Sequence, residues 1–324
     1  MSNLERSPQE TPCGGQVAVD AEPVRELQFG HSVALGGPRG MTVTRTLPNR
    51  DRRMVGAWCF VDFYGPEDIS GTAGMKVPPH PHTGLQTVSW LVAGDVLHHD
   101  SVGSAQLVSP GQLNLMTAGH GIAHSEQSPP GHGPTLHGVQ LWTALPDQAR
   151  SVAPHFEHHP DLPVLADSGA TITVIMGELD GQRSPARVYS PLVGAEAVLA
   201  AGADVRLPLR REWEYAALAL AGETEVDGVA VAPGPLLYLG LGRSELTLRA
   251  DRAARLLLIG GEPFAEHLVM WWNFVGRDHE DIVEARAQWM AADRRFGPVP
   301  GYSGAPLPAP PMPSTRLRPR GRHR

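Results

Sequence analysis

Apolar side chains recur at every second position through much of this chain, in runs of five to nine residues separated by glycine and proline. Met41-Thr42-Val43-Thr44-Arg45-Thr46-Leu47 and Gly56-Ala57-Trp58-Cys59-Phe60-Val61-Asp62-Phe63-Tyr64 are rich in branched and aromatic residues, as strands are. Gln86 to Val92, Ala105 to Val108 and Gly138 to Thr143 continue the series. A second series follows in Ala170 to Met176, Val198 to Leu207 and Tyr215 to Val226. Its strand, Ala-Gly-acidic turn, strand arrangement at Ala221-Gly222-Glu223 echoes Ala93-Gly94-Asp95 in the first, so an internal duplication is the simplest account. A helical period shows near the C-terminus. There Asp278 can cap a helix with Asp281 at its third position, and Ile282, Ala285 and Trp289 share one face. Trp271, Trp272 and Phe274, just before it, read as core aromatics.

These patterns predict an all-β protein of two barrels or sandwiches in tandem with a C-terminal helix. Ala153 to Pro163, with prolines at 154, 160 and 163, marks the crossing between them. The expected divisions are a flexible leader over 1–25, a first barrel over 26–150, a second barrel with its helix over 151–296, and a disordered Pro/Arg-rich tail over 297–324.

Composition adds limits. A hydrophobic content of 41% with 19% charged residues is an ordinary globular balance, and 36 glycines and 31 prolines supply the turns between short strands. Cys13 and Cys59 make neither a disulfide framework nor a thiolate metal site, and Cys59, in an apolar run, is expected in the core. Met1 to Arg6 has no apolar continuation like that of a signal peptide, and no apolar run approaches the ~18 residues of a membrane span, so the expectation is a cytoplasmic protein with no membrane contact.

The net charge of −7 includes five arginines at 316, 318, 320, 322 and 324, which makes the rest of the chain more acidic still and argues against direct nucleic-acid binding. The tail could serve as an arm for an anionic partner. It follows the Pro- and Gly-rich stretch from Val299 to Pro313, however, and the chain has Lys76 as its one lysine, so arginine-rich composition without a ligand is the favoured reading.

His80-Pro81-His82 and His124-Ser125-Glu126 change the picture. Residues two apart on a strand share a face, so His80 with His82, and His124 with Glu126, can point together into a barrel. A single His-x-His would fit exposed turn residues beside prolines equally well. The second pair, set among turn glycines, points instead to a first-row divalent metal held by three imidazoles and one carboxylate, which keeps positions open for water, substrate or oxygen. Gly74 completes Gly-x5-His-x-His, and Gly94 closes the next turn, as in the first half of a cupin metal motif.

The other histidines carry weaker expectations. His120, between Gly119 and Gly121, is a candidate support for the metal ligands, a proton relay or a substrate contact, and equally an exposed loop residue. His98 and His99 are both expected to face solvent, His132 and His137 to rim the pocket, and His155, His158 and His159 to lie exposed between the barrels. Between Val164 and Glu266 there is neither histidine nor cysteine, so a second iron or zinc centre of this kind cannot form there and the second barrel reads as structural or partner-binding.

HPHTGLQTVSWLVAGDV at 80–96, DSVGS at 100–104, PGQLNLMTAGHGIAHSE at 110–126 and HGVQLWTALP at 137–146 resemble the pirin family, and IMGELDG at 175–181, LLLIGGEPF at 256–264 and MWWNFVGRDHEDIVEARAQW at 270–289 extend the likeness over roughly residues 25–296. The resemblance implies a bicupin, two double-stranded β-helix (jelly-roll) barrels. It implies one metal, Fe(2+) or another divalent first-row ion, bound through the positions of His80, His82, His124 and Glu126. It also implies either of two roles. One is an oxygen-dependent dioxygenase of quercetin or a similar aromatic flavonol, with Glu126 taking the substrate proton; the other is a non-enzymatic, iron-dependent regulator that binds a transcriptional or metabolic protein partner. An isomerase or sugar-modifying cupin would need metal but no oxygen. Two departures bear on the pocket's charge: many pirins carry HRGFET where this chain has His82-Thr83-Gly84-Leu85-Gln86-Thr87, and Gly-Arg-Gly where it has Gly119-His120-Gly121. Neither is a ligand position in the family.

Overall fold

Period-two burial runs through the strands of the computed structural model, which describes residues 11–13, 23–34 and 41–319. Val205 and Leu207 are buried while Asp204, Arg206 and Pro208 are exposed, one face to a core and one to water. The first half contributes β1 (Thr11–Cys13), β2 (Glu26–Gln28), β3 (His31–Ala34), β4 (Thr42–Leu47), β5 (Trp58–Asp68), β6 (Lys76–His82), β7 (Leu85–Ala93), β8 (Val96–Asp100), β9 (Ala105–Val108), β10 (Leu113–Thr117), β11 (Ile122–Gln127), β12 (Thr135–Ala144) and β13 (His155–His159). The second contributes β14 (Val164–Asp167), β15 (Ala170–Leu179), β16 (Gln182–Arg183), β17 (Leu192–Leu199), β18 (Ala203–Pro208), β19 (Glu214–Ala221), β20 (Thr224–Val226), β21 (Val229–Val231), β22 (Leu236–Gly240), β23 (Glu245–Ala250) and β24 (Ala254–Gly261). β25 (Leu268–Trp271), β26 (Phe274–Gly276) and the helix α1 (His279–Met290) close the order.

Each half is a two-sheet barrel of the cupin type. The first sets the sheet β13-β10-β7-β12-β5-β4-β3 against β6-β11-β8-β9; the second sets β14-β15-β17-β24-β19-β22-β2 against β18-β23-β20-β21. The neighbours β10-β7-β12-β5 recur as β22-β19-β24-β17, and β6-β11-β8-β9 as β18-β23-β20-β21, which bears out the duplication. The two interiors differ. Where β6 and β11 carry histidines, β18 and β23 turn Val205, Leu207, Leu246 and Leu248 into a hydrocarbon core.

The halves are joined sheet to sheet through a core that runs from Trp58, Val88 and Leu141 of the first to Ala216, Leu218, Leu257 and Ile259 of the second. Trp58 donates its indole N–H toward Val193 O and Gly260 O, each at 3.1 Å. Gly194 permits this approach, since a Cβ there would sit 2.9 Å from the Trp58 ring. Glu214 accepts Gly56 N–H at 2.6 Å and the Tyr238 hydroxyl at 2.7 Å, tying the same seam with polar contacts.

The chain crosses the expected divisions at both ends. β2, expected in the first barrel, pairs with β22 of the second (Glu26 opposite Tyr238), and only β3 onward joins the first. Within the expected leader, β1 pairs with β25. In return, β26 reaches back to the first barrel, where Val275 N–H donates to Thr83 O at 3.1 Å. The linking segment also differs from expectation: it forms β13 and extends the first barrel's larger sheet beside β10.

Helix α1 starts as expected, with Asp278 accepting from Asp281 N–H at 2.9 Å and Ile282 and Ala285 buried. Trp271, Trp272 and Phe274 lie in the core with them, and Cys59 is buried in the first barrel. The proline-rich tail corrects another expectation. As far as residue 319 it lies along this helix and the outside of β6 and β11, burying Ala309 and Leu317 in a cluster that includes Ala123, Phe274 and Phe296. Leu307 N–H donates to Pro79 O at 2.8 Å and the Trp289 indole to Leu307 O at 2.8 Å. Proline removes backbone donors but leaves side chains free to pack, so an extended strap docks without any periodic pattern. Among the described residues no helix is long and apolar enough to cross a membrane.

Deleting residues 300–324 is expected to lower the thermal unfolding midpoint by about 4 °C or more. Full burial of one Leu side chain is worth roughly 1.5–3 kcal/mol, and each kcal/mol moves a chain of this size by a few degrees. An unchanged midpoint in calorimetry would show that the strap's packing contributes nothing.

Candidate metal centre

The donors come from two neighbouring strands, β6 and β11, with β8 beside them, and the register of the three sets which side chains meet. In the ladder between β6 and β11, His80 stands opposite His124 and His82 opposite Ile122. A bulge between His124 and Glu126 shifts β11 against β6, whereas against β8 the strand stays in step, with His124 opposite Asp100 and Glu126 opposite His98. The bulge keeps Glu126 on the inward face while its neighbour strand slips, a device that re-aims side chains at sites. His80, His82, His124 and Glu126 are all buried.

The ring nitrogens converge. His82 Nε2 and His124 Nε2 lie 3.1 Å apart, and donor atoms of His80, His82 and His124 all fall within 4.8 Å of one another. Glu126 forms a second such group with His124 and His98, so the carboxylate joins the imidazole trio through His124. Two of the rings are oriented from behind by backbone: His80 Nδ1–H donates to Pro78 O at 2.8 Å and His82 Nδ1–H to Asn273 O at 3.1 Å. Each then presents a lone pair at Nε2, the tautomer a metal requires. His80 Nε2 is buried without a protein partner. Nitrogens each about 2.1 Å from one ion and at roughly right angles sit about 3 Å apart, so the residues present fit a divalent cation.

Electrostatics favour the same reading. Burial pushes His82 down to about 3, and burial followed by the neighbouring imidazoles holds His80 and His124 well below the ordinary histidine value. All three are therefore neutral near pH 7 and available as ligands. Glu126 is held from the opposite sheet by the Ser89 hydroxyl at 3.2 Å, and that hydroxyl also lies 2.9 Å from Gln140 Oε1. Trp142 packs edge-on against His82 with centroids 5.1 Å apart, backed by Phe60 stacked at 3.9 Å.

Several histidines lie elsewhere than expected. His98, expected in solvent, is 3% exposed inside the barrel, with Nε2 3.1 Å from Asp100 Oδ2 and its ring stacked on Phe156 at 4.5 Å. The signal was in the alternation: buried Val96 shares its parity with His98 and Asp100, so all three face inward. His99 takes the outer face, where Gly301 of the strap lies against its ring. His120 is exposed on its glycine turn, held through its backbone by Val152 O and Arg295, and lies outside the donor clusters. His132 is half-buried beside Thr72 O, and His137 is buried edge-on to Phe63, with burial lowering its pKa. His155, His158 and His159 are half-buried on β13, near Glu157 at 3.4 Å, Asn114 at 2.6 Å and Glu157 at 3.1 Å respectively, and form no metal cluster among the described residues. Ser89, Gln140, Trp142 and Asn273 lie within the stretches that carry the family resemblance, but no spacing among them marks a site.

Comparison with known proteins yields two family matches, one to the model described as Pirin over residues 40–143 and one to the Pirin C-terminal cupin domain over residues 194–297. The chain is 48% identical over 279 residues to a Pseudomonas aeruginosa protein named "Putative quercetin 2,3-dioxygenase", which covers 86% of this chain and 88% of that protein. Human pirin is 30% identical over 238 residues, 71% of this chain and 81% of its own length. The crystal structure of quercetin 2,3-dioxygenase from Acinetobacter baumannii superposes with a TM-score of 0.87 at 43% identity, covering 91% of this chain and 97% of that one.

Two outcomes are expected from this geometry. His80→Ala, His82→Ala and His124→Ala should each weaken binding of a single divalent ion per chain by at least about tenfold in elemental analysis and chelator competition; two equivalents, or undiminished metal in all three variants, would contradict it. In the metal-free protein the depressed histidines add stability that is fully present above the unfolded value of 6.5 and is lost as pH falls toward about 3, because the unfolded chain binds more protons throughout that window. Urea midpoints of the metal-free protein should therefore drop between about pH 7 and about pH 5.

Proposed function

The chain belongs to the pirin family, and we propose that its first barrel is a dioxygenase site for enolic aromatic substrates of the flavonol type, with iron(II) held by His80, His82, His124 and Glu126. The observation that carries this reading is the make-up of the donor set: three neutral imidazoles converge with one carboxylate inside a barrel. Relatives named for quercetin 2,3-dioxygenase support the substrate class. Iron(II) in such a set supplies redox chemistry and open positions for oxygen-containing ligands.

The chain's own residues contribute the rest. Glu126 is the base that takes the substrate's hydroxyl proton, being the carboxylate of the donor set. The Ser89 hydroxyl has one proton and two acceptors within reach, Glu126 Oε1 at 3.2 Å and Gln140 Oε1 at 2.9 Å. Turning that proton to Gln140 releases Glu126 for the substrate; turning it back stabilises the carboxylate between turnovers. Trp142 and Phe60 present hydrocarbon beside His82, which keeps water from that side and suits a planar aromatic ring.

Oxygen-electrode assays of the iron(II)-loaded protein with quercetin should show uptake, and Glu126→Gln should lose at least about a hundredfold in turnover while keeping most of its metal. Glutamine retains a ligating oxygen without useful basicity. Unchanged turnover in the variant would remove Glu126 from the base role. No uptake with any flavonol at full iron loading would overturn the enzymatic reading in favour of metal-dependent protein binding.

A further inference from the structure

Of the three imidazoles, His124 differs in how its Nδ1 proton is held. Backbone carbonyls fix His80 and His82, and a carbonyl oxygen can only accept. His124 Nδ1 instead faces His98 Nδ1 at 3.4 Å, and a second imidazole can either accept or donate. What decides the direction lies one residue further back. His98 Nε2 is 3.1 Å from Asp100 Oδ2, and Oδ1 of the same carboxylate accepts Val102 N–H at 3.0 Å and Ser104 N–H at 2.9 Å. A carboxylate accepts, so His98 must carry its proton on Nε2, which leaves His98 Nδ1 as an acceptor. His124 must then carry its proton on Nδ1, and its Nε2, 3.1 Å from His82 Nε2, is left as a lone pair.

The opposite arrangement fails at both ends. It would set an unprotonated His98 Nε2 against the Asp100 carboxylate, and it would place a proton on His124 Nε2 where the cation belongs. Phe156, stacked on the His98 ring with an interplanar angle of 20°, and complete burial of Asp100 prevent the pair from turning away.

We infer that Asp100 and His98 are positioning residues that set the tautomer of His124 and so determine whether it offers Nε2 to the metal. The inference rests on the metal reading of the site and is independent of the substrate. Relayed orientation of this kind extends the familiar carboxylate–histidine support of metal ligands by one ring.

Asp100→Asn provides a sharp test because the turn dictates how the amide sits. Val102 N–H and Ser104 N–H require an acceptor at the Oδ1 position, so the amide oxygen stays there and the NH2 faces His98. His98 must then accept at Nε2 and carry its proton on Nδ1, and His124 is driven to the Nε2–H form. The variant is isosteric and should fold, with unchanged near-UV circular dichroism. Cobalt(II) affinity by chelator competition should fall about 10–100-fold. Long-range 1H–15N spectra of the metal-free protein, with His124 assigned through His124→Gln, should report the Nδ1–H form in the wild type and the Nε2–H form in Asp100→Asn. Asp100→Ala disturbs the turn more but imposes no donor on His98, so it should bind cobalt more tightly than Asp100→Asn; a purely structural role for Asp100 predicts the reverse.

The inference is overturned if Asp100→Asn binds cobalt within about twofold of wild type, or if His124 keeps its Nδ1 proton in that variant. It is also overturned if the wild type takes a second equivalent that His98→Gln abolishes, since His98, His124 and Glu126 would then hold an ion themselves. A wild type that binds no cobalt would overturn the metal reading along with it, whereas normal wild-type binding beside an unaffected variant overturns the inference alone.

Discussion

Three imidazoles and a carboxylate taken out of water into one closed interior form the constraint on which the first barrel turns. None of these groups tolerates burial unless its polar atoms are engaged, and the lone pairs gathered at the centre repel one another until a cation lies among them. The surrounding structure reads as a set of answers to that requirement. Pro78 O and Asn273 O take two ring protons, His98 with Asp100 takes the third, and Ser89 supports Glu126 from the opposite sheet. The second barrel has no such requirement and fills the same strand positions with Val205, Leu207, Leu246 and Leu248. Duplication supplied two equivalent frames; polarity of the inward positions separates a site from a core.

The same contrast explains how the halves divide their work. A hydrocarbon interior packs without outside help, so the second barrel can act as the rigid partner against which the metal-bearing half is braced through Trp58 and Glu214. The fold alone suits an oxygenase and a protein-binding regulator equally, because both would use the same frame and the same donor set. What favours substrate chemistry is the neighbourhood of the donors, where an aromatic wall lies beside His82 and a two-position hydroxyl beside Glu126.

Local pattern made much of this legible. Alternation marked the strands, a repeated turn marked the duplication, and spacing placed His80, His82, His124 and Glu126 on inward faces. The Asp278 cap and the Ile282–Ala285 face were readable because helix ends and helix faces are set within a few residues. His98 was readable too, from the parity of Val96 and Asp100, but two adjacent histidines masked it. Other features depend on long-range meetings that no window contains. Asn273 reaches His82 across 191 residues, β2 joins the far barrel, and the proline-rich strap docks by shape alone. For His120 local sequence left a functional role and an exposed loop position equally open, because flanking glycines fit both; it lies exposed on a turn whose backbone is held by Val152 and Arg295.

The Asn273 contact also bears on how the protein comes into being. A ribosome adding about 5–20 residues per second exposes His82 roughly 10–40 s before Asn273, since 191 residues separate them. Once Glu126 has followed, all four donors exist for the remainder of that interval while one of them lacks the carbonyl that orients its ring. β26, which docks beside Thr83, is missing for the same period. A nascent chain therefore carries a donor set with one ring unoriented until its last strands arrive. A chain that ends after Glu126 but before residue 273 keeps its four donors but lacks the contact that turns His82 toward them.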